Sequence, residues 1–147
     1  KTMVILQTLH TGKYIVIKNM ANPVIHFEII GKNPTKLREY YNHLFDWKAD
    51  TNSLVAPQVS QAGKYGFIDR ISTDDGSGIP GGIGGGDGYI AQSIFYVGVP
   101  DVETALKKAE EFGGKRILGP ASKPGGGLVV GRFTDPEGNL IGVAGPK

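Results

Sequence analysis

The sequence predicts an α+β fold made of two βαβββ modules, with strands arranged in a curved, largely antiparallel sheet. Three observations predict it. First, the chain repeats itself. Val24-Ile25-His26-Phe27-Glu28-Ile29-Ile30 precedes Asn33-Pro34 and an amphipathic run, and Ser93-Ile94-Phe95-Tyr96-Val97-Gly98-Val99 precedes Asp101-Val102 and another. A shift of about 68 positions lays Phe27 on Phe95, Asn33 on Asp101 and Leu44 on Phe112, and a repeat of this length marks duplicated supersecondary units. Second, each half carries one run with helical spacing. Third, each half then continues in short apolar runs punctuated by turn residues, so strands outnumber helices and mostly look hairpin-linked.

The elements follow in chain order. The first helix is expected to have Asn33 as N-cap and Pro34 in its first turn, a favoured pairing because the cap oxygen accepts an orphan N–H and proline has none to lose. Leu37, Tyr40, Tyr41 and Leu44 fall on one face and are expected to pack on the sheet. The second helix is expected to start at the cap Asp101, to bury Val102, Ala105, Leu106, Ala109 and Phe112, and to stop at Gly113-Gly114. Strand candidates are 47–51, Tyr65–Ile71 and 79–84 in the first half, and Lys115–Leu118, Leu128–Thr134 and Leu140–Ala144 in the second. Asp135-Pro136-Glu137-Gly138-Asn139 reads as a tight turn between the last two.

Domain organisation is expected to be simple, since 147 residues suit one domain with a true core. Module one spans about 22–84, a glycine-rich connector about 81–91 and module two about 92–145. Residues 1–19 read as an extension or added strand of uncertain role, dispensable for folding of residues 20–147. His10 lies within it. The glycine cluster Gly81 to Gly88 lacks the lysine and serine or threonine of a phosphate loop, and Gly86-Asp87-Gly88-Tyr89-Ile90-Ala91 precedes a strand where a dinucleotide fingerprint needs a helix.

Composition excludes several functions. A net charge of +2 with scattered lysines argues against nucleic acid as a partner. No apolar run reaches the roughly 20 residues of a membrane helix. With no cysteine, disulfides, thiolate metal sites and cysteine nucleophiles are unavailable, which suits a cytoplasmic protein.

Two βαβββ halves, His26 in the first strand, the pair Tyr40-Tyr41, Leu44-Phe45-Asp46-Trp47 and Asp135-Pro136-Glu137-Gly138-Asn139 together resemble the vicinal oxygen chelate superfamily. This group holds glyoxalases, bleomycin-resistance proteins and extradiol dioxygenases. The resemblance covers residues 24–145. It departs from the pattern at Asp46, where the family often has glycine. It implies a ligand cleft in a cup-shaped sheet, homodimers, and, in metal-dependent members, ligands from the first and last strand of each module. Carried over, those positions are His26, Gly81 or Gly82, Ile94 and Gly142, and only His26 can ligate. Glu28 on the same face adds a second donor, short of the three side chains a zinc or iron site usually needs. His43, on the polar side of the first helix, adds none. No metal or other cofactor is therefore expected.

The cup is expected to be mostly apolar. Alternation puts Val24, His26 and Glu28 on its face, with Ile94, Tyr96 and Gly98 from the matching strand and Leu140, Gly142 and Ala144 from the last. Expected ligand-binding residues are His26, Glu28, Trp47, Ile94, Tyr96, Arg132 and Gly142, with Arg132 near the mouth and Trp47 and Phe133 as aromatic walls. The leading expectation is binding of a small, partly apolar organic molecule. One alternative is an enzyme of the same superfamily, either a metal-dependent lyase or dioxygenase or a metal-free lyase or isomerase in which His26 and Glu28 are the catalytic acid–base pair. Another is a protein-association module with a vestigial cleft.

Overall fold

A computed structural model describes residues 5–8, 14–17, 21–70 and 78–147. The first described strands, β1 (Ile5–Thr8) and β2 (Tyr14–Ile17), pair antiparallel in a two-stranded sheet of their own. His10 and the Ile71 end of the expected strand fall outside the described residues.

The first module runs β3 (Val24–Gly31), α1 (Pro34–Phe45), β4 (Ala49–Asp50), β5 (Gly66–Ile68) and β6 (Gly81–Gly85). The second runs β7 (Gln92–Gly98), α2 (Val102–Glu111), β8 (Lys115–Ser122), β9 (Val129–Thr134) and β10 (Leu140–Gly145). Both are βαβββ, and together they form one eight-stranded sheet in the order β4-β5-β6-β3-β7-β10-β9-β8. The order reads the same outward from the centre. In each module the last strand returns parallel to the first, β6 on β3 and β10 on β7, and the other pairings are antiparallel. The modules meet at the antiparallel pair β3–β7, which places Phe27 opposite Phe95, Glu28 opposite Ile94 and His26 opposite Tyr96. A bulge between Val24 and His26 breaks the alternation, so Ile25 as well as His26 reaches the cup and Val24 is largely exposed.

The caps are where the sequence puts them. Asn33 accepts the Lys36 N–H and Asp101 the Thr104 N–H. The buried faces differ between the helices. Val102 and Leu106 are fully buried, and Leu106 rests on β9 where Gly131 has no side chain: a Cβ there would fall 2.8 Å from its Cδ1. Phe112 is 80% exposed, against expectation. The helix ends at Glu111, and Phe112 turns out of the helical path at φ −93°, ψ 15°, so it leaves the stripe. In α1 only Pro34 is buried, while Tyr40 and Leu44 are more than half exposed. The neighbouring strand Gly81–Gly85 offers one side chain, Ile83, for a helix to grip. The aromatic residues instead pack among themselves, with Trp47 4.9 Å from Phe27 and 5.6 Å from Tyr41 between ring centres. The glycine cluster is thus partly an inner strand with every residue buried, and the turn into the second module begins after it.

Asp46 ends α1 in the left-handed conformation, φ 56°, and its N–H is bonded to the Asn42 carbonyl. Glycine adopts this conformation without a Cβ penalty. Asp46→Gly should therefore raise stability by up to about 1 kcal/mol, read as a higher urea midpoint. An unchanged or lower midpoint would show that the aspartate's local hydrogen bonding outweighs its backbone strain.

Candidate functional site

One face of the sheet holds a cavity of about 680 Å³. Its walls are mainly apolar, with Leu54, Val55, Val59, Phe67, Leu128 and Val130 among them. Its floor is polar and is made by His26, Glu28, Tyr65 and Tyr96. Asp50, Asp69 and Lys123 stand at its exposed rim.

Glu28 organises the floor. Its side chain is 3% exposed, and its carboxylate accepts from three donors: Tyr96 Oη at 3.0 Å and Arg132 Nη2 at 2.5 Å on Oε1, and Tyr65 Oη at 3.1 Å on Oε2. Arg132 Nε also donates to Tyr96 Oη at 2.8 Å. His26 Nε2 lies 3.0 Å from Tyr65 Oη. A phenol carries one proton, so once Tyr65 gives its own to Glu28 the contact with His26 must be an Nε2–H donation. With Glu28 ionised, that assigns the imidazole the Nε2–H tautomer and leaves Nδ1 without a partner among the described residues.

Burial acts on both His26 and Glu28. Burial lowers the His26 pKa and keeps the ring neutral. Burial also pushes the Glu28 carboxyl above the usual carboxylate range, while Arg132 and the two phenols pull the other way. Both phenols are raised, by burial first and then by the Glu28 charge, so they remain protonated donors.

Glycines make room for the phenols. β3 pairs β6 with Glu28 opposite Gly82, and β7 pairs β10 with Tyr96 opposite Gly142. Glu28 and Tyr96 are mates under the repeat, so Gly82 and Gly142 are mates too. A Cβ on Gly82 would fall 2.1 Å from Tyr65 Oη, and one on Gly142 2.4 Å from the Tyr96 ring. The two positions where the resemblance puts last-strand ligands are thus covered by tyrosine rings. Among the described residues, no group of three or more histidines, cysteines, aspartates or glutamates could hold a metal ion.

The structure brings His26, Glu28 and Tyr96 together and adds Arg132 behind them. Arg132 is 5% exposed and paired with Glu28, beneath the floor instead of at the mouth. Ile94 packs with Tyr96 and Ala144. Gly142 lies under the Tyr96 ring. Trp47 does not line the cavity; it packs with Phe27, Tyr41 and Phe45. Phe133 packs with the cluster of Val99, Val102, Leu106 and Val143 and is no wall of the cup either. Sequence reasoning missed Tyr65, which joins His26 to Glu28. Its one signal was a tyrosine at the start of a strand candidate, beside a module whose last strand was rich in glycine.

No family model and no curated protein matches the sequence. Solved structures do match in fold. One is methylmalonyl-CoA epimerase of Streptomyces coelicolor in complex with 2-nitronate-propionyl-CoA, at TM-score 0.55 and 13% identity over 86% of this chain and 98% of that one. Another, described as NAD-dependent benzaldehyde dehydrogenase from Legionella pneumophila, matches at TM-score 0.55 and 14% identity over 83% and 98%.

The neutral state of His26 has a consequence for stability. The unfolded chain protonates His26 near 6.5, whereas the folded chain does so at lower pH. Between those values the unfolded state holds more protons, so this group's contribution falls as pH drops through that window and is constant below it. Urea midpoints measured from neutral pH downward should fall more steeply in the parent than in His26→Asn, since the variant lacks the titration of His26. Parallel profiles would mean that His26 keeps an ordinary pKa in the fold. The described strands, helices and neighbours place the chain in the paired βαβββ fold of the vicinal oxygen chelate proteins.

Proposed function

We propose that this protein is a glyoxalase/bleomycin-resistance-like binder of a small, partly apolar organic molecule, held in the cup without a metal. The observation that carries the reading is the cavity of about 680 Å³ with apolar walls and a short polar floor. That volume and composition are typical of small-molecule pockets. Metal independence is supported by the covering of Gly82 and Gly142 by the phenol rings and by the engagement of Glu28 with three donors.

A second reading, a metal-free acid–base enzyme, draws on the His26–Tyr65–Glu28 chain. Its bare Nδ1 is a neutral base, and the phenol and carboxylate behind it would stabilise the imidazolium formed when it takes a proton. In that reading His26 is the catalytic group. Glu28 is a positioning residue, because its oxygens are already occupied.

The likeness to the epimerase does not carry its substrate to this chain, since the two share 13% identity. The homodimer stays within the proposal. Tyr40, Leu44 and Phe45 on α1 form an exposed apolar face consistent with it. Among the described residues no helix is long and apolar enough to cross a membrane.

The test is ligand screening by amide chemical shifts before and after exhaustive chelation, with metal content measured by mass spectrometry. The reading predicts saturable shifts at cup residues such as Tyr65, Phe67 and Leu128 that survive chelation. Binding that appears only with a stoichiometric divalent ion would contradict it.

A further inference from the structure

The hydrogens of the cup floor are all committed to the protein. Tyr65 and Tyr96 give their single O–H protons to Glu28. His26 gives its Nε2–H to Tyr65. The Glu28 carboxylate offers little in return, since it already accepts from both phenols and Arg132. Tyr96 Oη accepts from Arg132 Nε while donating to Glu28. Beyond the remaining lone pair of Glu28 Oε2, on a side chain only 3% exposed, what the floor leaves open among the described residues is the Nδ1 lone pair of His26.

Charge selects in the same direction. The buried cation, Arg132, lies below the floor and is neutralised by Glu28. At the rim one lysine, Lys123, stands against two carboxylates, Asp50 and Asp69. An anion entering this apolar space would lose its hydration with no free cation at the floor, among the described residues, to replace it.

We infer that the cup takes an uncharged, largely apolar molecule that donates one hydrogen bond, from a hydroxyl or N–H group, to Nδ1 of His26, and that it discriminates against the carboxylate analogue of the same molecule. This rests on the small-molecule reading of the cup and narrows it to one chemical class. His26 is then the specificity-determining residue. Tyr65 and Glu28 are positioning residues, because they hold the tautomer that presents a lone pair instead of an N–H. Apolar contact with the walls supplies the bulk of affinity, and the single hydrogen bond sets orientation and choice.

A matched series tests this: 2-naphthalenemethanol, its methyl ether and 2-naphthoate, titrated into the full chain and followed by amide shifts of Tyr65, Phe67 and Leu128. A hydrogen bond worth about 1 kcal/mol net predicts that the alcohol binds roughly fivefold tighter than the ether. The naphthoate should be weaker than both. The alcohol should also move the His26 Nδ1 nitrogen resonance of the unsubstituted protein, and the ether should not. This readout needs no variant and survives if a substitution impairs folding. In His26→Phe the alcohol and ether should bind alike. Tightest binding by the naphthoate, or equal binding of alcohol and ether with no Nδ1 response, would overturn the inference and leave small-molecule binding standing. Absence of saturable binding by all three would overturn the binding reading and the inference with it.

Discussion

A buried carboxylate at the seam between two modules is the constraint on which the site depends. Glu28 belongs to the first strand of one module. Arg132 and Tyr96 belong to the other, and Tyr65 comes from the loop before β5. A charge this deep is tolerable only when paired and fully hydrogen-bonded. The pairing therefore fixes how the two halves face each other as well as the charge itself. It also sets the chemistry of the cup. By accepting from both phenols and the guanidinium, Glu28 engages their hydrogens within the protein.

The repeat explains how such a floor can arise in this architecture. In a paired βαβββ sheet the first strand of each module lies beside the last, so Glu28 faces Gly82 and Tyr96 faces Gly142 across parallel neighbours. Glycine at both last-strand positions vacates the space that a side chain would take, and a phenol fills each. The same geometric slots that favour convergent ligands thus favour convergent hydroxyls when the last strands carry no side chain. Both hydroxyls then converge on Glu28. In a cup floored this way, phenol rings occupy the space over both last-strand glycines.

Much of the fold was legible because it is locally determined. Asn33 and Asp101 cap their helices, and the strands fall close to the apolar runs, because capping and alternation act over a few residues. The pairing of His26, Glu28 and Tyr96 on one face was also legible from period-two alternation. What escaped the sequence depends on neighbours from other strands. Tyr65 reaches the floor only because β5 lies beside a glycine strand. Arg132 lies on β9 opposite Gly142, so its side chain runs beneath the floor to Glu28 instead of out to the mouth. Trp47 follows a left-handed turn at Asp46, which folds it back onto Tyr41 and Phe27. Helical periodicity overstated the burial of α1 and of Phe112, because it reports a face but not what covers it.

The coupling between Glu28 and Arg132 measures the central constraint most directly. Arg132→Met leaves a buried carboxylate without its cation, Glu28→Gln leaves a buried guanidinium without its anion, and the double variant removes both charges. Chemical denaturation of the four proteins should give single losses of about 3–5 kcal/mol each, with the double variant recovering most of one of them. Losses that simply add, or single variants as stable as the parent, would mean that the floor is not held by this ion pair.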